Sequence, residues 1–467
     1  MKSIVRMFSI LAVVSLALAG LAACAAPSPQ VVQQTVVVTQ VVKQTEQVLV
    51  TQIVKETQQV LVTPTPPQGG TIVIRAGTGD GGDGLTPHQQ IIQNFEDKNP
   101  NVIVQLEPVS GRDYYARLLT QLAAKAAPDI MQVGDDAVPS FVSKNAFLPL
   151  DDLIKSAGFD TSIYLPGLLD PGKINGKQYL LPKDYTPLAV YYNKKLFDAA
   201  HLDYPTDGWT WDDLLATAQK LTLKDASGKV VQWGIQLPGP WTTGFEYWVA
   251  AAGGSLISSD GKSFVGYMDS DKVLRAVQFY ADLYNKYQVA PQPADLNAFG
   301  GGNTEFAGGK AAMMLFGRWP QSGLLKNPNV VLGVVAPPKD AVRANVLFWG
   351  GFGIASSARD PGTVFKYLSY VSGEPGAQVW KNWALPAVTS VAKSSGMAAD
   401  PIEGVWIGEL SHLAPRAYTF TPYWNETADP ALSRLLQSII IDPKADVKAM
   451  LSQTAQDAQA ALDKLAK

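Results

Sequence analysis

Few side chains in this 467-residue sequence carry reactive chemistry, and the first candidate is the glycine-rich stretch Gly77-x-Gly79-x-x-Gly82. Placed between an apolar run and a helical pattern, this spacing matches a dinucleotide-binding turn, in which backbone amides approach a pyrophosphate. Its two carboxylates, Asp80 and Asp83, suit other work: accepting hydrogen bonds from ligand hydroxyls, or capping the helix that follows. The three histidines, His88, His201 and His412, show no HExxH or clustered spacing, so no catalytic zinc is expected. No G-x-S-x-G elbow occurs. A glycoside hydrolase needs two carboxylates flanking the scissile bond, and Asp136 with Glu246 leaves that reading open. No cofactor and no metal are expected.

Cys24 is the only cysteine, so no intrachain disulfide can form. Ahead of it, Lys2 and Arg6 and then the apolar run MFSILAVVSLALAGLAA describe a secretory signal. Leu21-Ala22-Ala23-Cys24 resembles a bacterial lipobox, which implies removal of residues 1–23 and a diacylglycerol thioether on the Cys24 thiol. An ordinary signal peptide cut near Ala26 is the alternative. Two acyl chains give stable membrane anchoring, and no second apolar run of about 20 residues offers another span. An exported protein meets little NAD, which weighs against the dinucleotide reading.

Residues 24–69 form a Val/Gln/Thr-rich segment with a period of twelve, in which Val36, Val48 and Val60 correspond, as do Thr39, Thr51 and Thr63. On a helix that period would rotate an apolar patch by about 120° per repeat, so no single face results. Heptad and 11-residue spacings are absent, which argues against a supercoil. An extended tether ending in the stiff TPTPP remains, with a reach on the order of 150 Å. A β-rich stalk formed between chains is the alternative.

The rest is long enough for two domains, and the whole chain is 46% hydrophobic and 17% charged. A net charge of −3 gives no electrostatic support for binding nucleic acid. Eleven tryptophans and seventeen tyrosines exceed ordinary core needs and fit a ligand with flat faces, such as a sugar. The pattern predicts strands at 71–76, 101–109 and 129–134, with helices over 87–99 and 113–126 between them. Such alternation implies an α/β fold with mainly parallel sheets and a ligand crevice at the carboxyl edge.

Four further segments carry a family resemblance: APDIMQVGDDAVPSFVSKNAFLPLDDLI (127–154), NGKQYLLPKDYTPLAVYYNKKLFDAAHLDYPTDGWTWDDLLATAQKLT (175–222), EFAGGKAAMMLFGRWP (305–320) and FWGGFGIASSARDPGTVFKYLSYVSGEPGAQVW (348–380). In this order they resemble the family-1 extracellular solute-binding proteins of ABC importers, the maltose-binding-like group. The resemblance implies a two-lobe, hinged periplasmic-binding fold of type II. One lobe would take residues 70–183 plus 337–390 and the other 184–336 plus 391–467. It also implies a monomer that captures a sugar or oligosaccharide and docks on a membrane permease, at the cell surface or in the periplasm. Glycerol phosphate or a polyamine-like solute is the alternative ligand, for which Arg318 and Arg416 are candidate partners.

Carried over by the resemblance, Asp136 or its neighbour Asp135 would bind sugar hydroxyls, and Trp319 would stack on a sugar face. Tyr423 or Trp424 would supply a second aromatic. Trp241, Thr243 and Glu246 fall in a loop that makes contacts from the second lobe, and Asp184, Tyr185 and Thr186 occupy the first crossing. Gly350 and Gly351 would let the backbone approach the ligand, with Trp349 either core or cleft. Two departures, Ala137 where the maltose-binding pattern has a basic residue and Val133 where it has an aromatic, argue against maltose itself.

Overall fold

The computed structural model describes residues 70–109, 113–292 and 304–465, with only the backbone for Asp83. Cys24 and the repeat segment lie outside the described residues. In chain order the strands are β1 (Ile72–Thr78), β2 (Val102–Pro108), β3 (Ile130–Gly134), β4 (Lys173–Ile174), β5 (Lys177–Gln178), β6 (Leu180–Thr186) and β7 (Ala189–Asn193). They continue as β8 (Leu223–Lys224), β9 (Val230–Gln236), β10 (Ala311–Phe316), β11 (Leu332–Val335), β12 (Phe348–Ile354) and β13 (Leu385–Pro386).

Two sheets organise the molecule, one of order β13-β6-β12-β3-β1-β2 and one of order β11-β7-β10-β9-β8, with β4 and β5 forming a small hairpin. The opening β1, β2 and β3 are parallel, with helices Leu85–Glu96 and Asp113–Ala123 between them, close to the sequence expectation. The sheets are mixed rather than mainly parallel. β12 runs antiparallel to both β3 and β6, and β7 is antiparallel to β10 and β11. The reason is connectivity: β12 enters the first sheet directly from the second, without the helical crossover that makes a neighbour parallel.

Strand periodicity divides β7 between two cores. Val190 and Tyr192 pack with Trp211, Trp248, Tyr280 and Leu436, while Ala189 and Tyr191 pack on the other face with Phe306, Met314 and Trp406. Helix Trp211–Leu221 starts at a capping box in which Thr210 and Asp213 satisfy each other's backbone groups, which fixes its first turn. Helices Asp271–Asn285, Ala428–Ile441 and Val447–Leu465 bury one stripe each against this second sheet.

The chain passes between the sheets three times. β6 keeps Asp184, Tyr185 and Thr186 in the first sheet, so the first passage falls at Pro187 and Leu188, a few residues later than the sequence boundary. The second lies between β11 and β12. On the third, Leu385 and Pro386 still pair with β6 of the first sheet, and Trp406 packs on Tyr191 of the second, 5.4 Å between ring centroids. Short-range sequence cues mark extended chain, whereas the exact passage depends on which sheet offers backbone partners.

Candidate ligand-binding cleft

Both sheets present the loops that follow β1, β3, β9 and β10 to one cleft of about 650 Å³. That volume suits a small-molecule site. Its lining brings together Asp80, Asp135, Asp136, Asp184, Tyr185, Thr186, Trp241, Thr243, Trp319, Trp349 and Gly350 from the sequence candidates.

The glycine-rich turn serves packing. A Cβ on Gly77 would stand 3.0 Å from Pro128 Cγ, and one on Gly79 would stand 3.0 Å from the Tyr114 ring. Asp80 is tied down just beyond. Its Oδ2 accepts from Lys183 Nζ at 2.8 Å and pairs with His88 Nε2 at 2.8 Å, while Thr78 Oγ1 lies 3.2 Å from the same imidazole nitrogen. Lys183 Nζ also lies 3.5 Å from Asp184 Oδ2 and 4.6 Å from the Trp380 ring centroid. Burial alone would raise the Asp80 pKa, but the Lys183 charge and the His88 hydrogen bond outweigh it and hold the carboxyl well below the carboxylate range. Burial, the larger effect, holds the His88 pKa below its ordinary value. Asp80 does not cap the next helix, whose N-cap is Gly84 with no side-chain bond; the Asp83 side chain lies outside the described set.

Asp135 and Asp136 occupy the turn after β3 and behave differently. Asp135 accepts from Trp349 N at 3.1 Å and from the Tyr418 hydroxyl, and Arg416 Nη1 lies 4.0 Å away. Burial pushes its pKa up to about 7 despite the opposing Arg416 charge. Asp136 also has a raised pKa, from burial first, with Arg416 lowering it and Asp429 raising it. Its backbone O accepts from Asn425 Nδ2 at 3.2 Å, and no side chain among the described residues donates to its carboxylate.

Opposite these acids stands an aromatic group. Trp241 and Phe348 stack at 4.8 Å between centroids, and Trp319 meets Phe348 edge-on at 5.3 Å and Trp241 at 5.9 Å. Phe316 closes the group at 5.3 Å from Trp319. Trp319 remains 50% exposed, so a ring face is open to a ligand. Gly317 makes that pose possible, because a Cβ there would lie 2.3 Å from the Trp319 ring.

Several candidates fall elsewhere. Glu246 is buried, with Oε1 accepting from Arg416 Nη2 at 3.2 Å and Oε2 from Ala417 N at 2.8 Å. It is absent from the lining, so the Asp136–Glu246 hydrolase pair does not assemble. Trp424 is 1% exposed within the second core, with Tyr423 packed against that core, and neither lines the cleft. Trp349 touches the cleft but its indole is buried in the first core, donating to Leu168 O at 2.8 Å. Gly351 gives room to that indole (a Cβ would lie 2.0 Å from it) and is not part of the lining. Both arginines are matched by acids: Arg318 Nε and Nη2 reach the half-buried Glu403 at 2.7 and 2.5 Å, and Arg416 pairs with the buried Glu246.

Sequence reasoning missed Lys183, Tyr114, Tyr115, Gln132, Phe348 and Trp383, all in the lining. Lys183 was legible as the cation beside Asp184 at the crossing. Tyr114, Tyr115, Gln132 and Phe348 lie in helices and strands whose local patterns read as core, and Trp383 lies in the turn before β13.

Two sheets joined by three passages, with a cleft lined by Asp80, Asp135, Asp136 and Asp184 and by the rings of Trp241, Trp319 and Phe348, define a two-lobe solute-binding protein. Residues 80–378 match the family described as bacterial extracellular solute-binding protein, and the chain belongs to that family. The diacetylchitobiose binding protein DasA of Streptomyces coelicolor is 26% identical over 356 residues, which cover 71% of this chain and 79% of the relative. An ABC transporter solute-binding protein from Thermotoga lettingae, bound with alpha-D-tagatose, aligns with a TM-score of 0.72 at 25% identity, covering 84% of this chain and 100% of that one. An ABC substrate-binding protein of Listeria monocytogenes in complex with cycloalternan shares the fold at a TM-score of 0.73 and 24% identity, covering 85% and 98%. The family and these neighbours are binding proteins.

Proposed function

We propose that this protein captures a sugar or oligosaccharide in the interlobe cleft and delivers it to the permease of an ABC transporter. The observation that carries the reading is the half-exposed Trp319, packed against Trp241 and Phe348, in a cleft that also holds the Asp136 carboxylate, to which no described side chain donates. Aromatic faces cover the C–H faces of a pyranose, while carboxylates accept charge-assisted hydrogen bonds from its hydroxyls. The relatives named for diacetylchitobiose, tagatose and cycloalternan support the same ligand class. Contacts to both walls exist together only when the lobes close, so binding selects the closed form. The site residues in this reading are Asp136, Asp184, Thr186, Trp241, Thr243, Trp319 and Gly350.

The lipobox-like Leu21-Ala22-Ala23-Cys24 supports a lipid anchor outside the cytoplasm, with the repeat segment as a spacer that keeps the receptor near its permease. Loss of fatty-acid labelling in Cys24→Ala tests the anchor. A thermal-shift screen against neutral, amino and phosphorylated sugars, followed by calorimetry, tests the ligand class; no shift with any saccharide would overturn it.

A further inference from the structure

The charges around the cleft are unequally satisfied. Lys183, Arg318 and Arg416 are the cations of the lining, and each already has a carboxylate partner. Lys183 is shared between Asp80 and Asp184. Arg318 spends Nε and Nη2 on Glu403 and Nη1 on Trp383 O at 3.1 Å. Arg416 spends Nη1 on Leu347 O and Nη2 on Thr243 O and Glu246, leaving only Nε without a partner. A phosphate or carboxylate ligand would have to displace one of these carboxylates, fully buried in Glu246 and partly buried in the others, from its cation, which is unfavourable.

The acids are in excess. Asp80, Asp135, Asp136 and Asp184 line the cleft, and Glu246 and Glu403 pair with its arginines from behind. Asp136 is the one lining carboxylate to which no described side chain donates a hydrogen bond or ion pair. Lobe closure withdraws water from it, and an ionised carboxylate then needs a counter-charge as well as a hydrogen bond. The open face of Trp319 adds attraction for a cation, since the ring quadrupole is negative above its plane.

We infer that the cleft selects a sugar bearing a protonated amine, with Asp136 as its counter-charge, and rejects sugars bearing phosphate or carboxylate. This rests on the sugar-binding reading above. The test is calorimetry on the full-length protein with matched pairs of gluco-, galacto- and manno-configured sugars and oligosaccharides. Each pair differs only in an amino or hydroxyl group, and phosphorylated counterparts are included. Within the best-bound pair the amino form should bind about tenfold tighter or better. In Asp136→Asn that preference should vanish while the melting temperature is retained. Equal affinity within the pair, tighter binding of the phosphorylated form, or a preference that survives Asp136→Asn would each overturn the inference while leaving sugar binding intact. Binding of no saccharide would overturn the sugar-binding reading and this inference with it.

Discussion

The side-chain amide of Asn345 brackets the backbone of Leu188: Nδ2 donates to Leu188 O at 2.8 Å, and Oδ1 accepts from Leu188 N at 3.0 Å. Leu188 lies in the first passage between the sheets and Asn345 in the second. The third joins them through Asn345 N to His412 O and Ala414 N to Asn345 O, both at 2.8 Å. Asn345 Nδ2 also reaches Glu409 Oε2 at 2.9 Å, and Arg343 neutralises Glu409 at 2.8 Å. One fully buried amide therefore ties together the three strands about which the lobes can turn. Asn345→Ala should cost about 3 kcal/mol, because it strands buried groups on Leu188 and Glu409. The check is denaturant unfolding together with small-angle scattering, which should report a broader spread of lobe openings.

Trp319 and Phe348 belong to one aromatic group but differ in burial, which separates their mutational effects. Trp319→Ala should lower sugar affinity at least about tenfold while changing stability by less than about 1 kcal/mol, since half the ring is already in water. Phe348→Ala should lower both, because its ring stacks on Trp241 and lies 4.8 Å from the Arg416 guanidinium carbon. Calorimetry and thermal melts on the two variants make the comparison. Unchanged affinity in Trp319→Ala would remove the ring from the site.

Lys144 Nζ lies 2.7 Å from Glu426 Oε1, linking the helix after β3 to the turn ahead of helix Ala428–Ile441. Ser140 Oγ donates to the same Oε1 at 3.3 Å, and Asn425 reaches Asp136 O beside it. These contacts join the two lobes at the cleft rim. The pair is well exposed, so its worth is about 0.2–1 kcal/mol. Glu426→Gln should speed ligand release about two- to fivefold with little change in the association rate, as stopped-flow fluorescence would report.

Asp135 predicts a pH dependence of stability. Its folded pKa is raised from 3.8 to about 7, chiefly by burial, so the folded state holds a proton that the unfolded chain releases. Its contribution is therefore fully present below the unfolded value and is lost as pH rises towards about 7. Asp135→Asn should flatten the decline of melting temperature across that window. A slope identical to that of the unmodified protein would show that the carboxyl titrates as in the unfolded chain.

The sequence alone determined what depends on local pattern and motif order. Alternating apolar residues placed β1, β2 and β3 and the helices between them within a few residues, and four ordered segments carried the two-lobe class. It also nominated Asp136, Asp184, Trp241 and Trp319, all of which line the cleft. What it could not determine was which polar or aromatic groups spend themselves on each other. Glu246 and Asp136 look alike as loop-borne acids, yet Arg416 takes up the first and no side chain takes up the second. Trp319 and Trp424 look alike as aromatics near loops, yet one is half in water and the other sealed beneath helices. Partners distant in sequence decide both cases, because burial and pairing are fixed only when Glu246 meets Arg416, 170 residues later, in the packed second lobe.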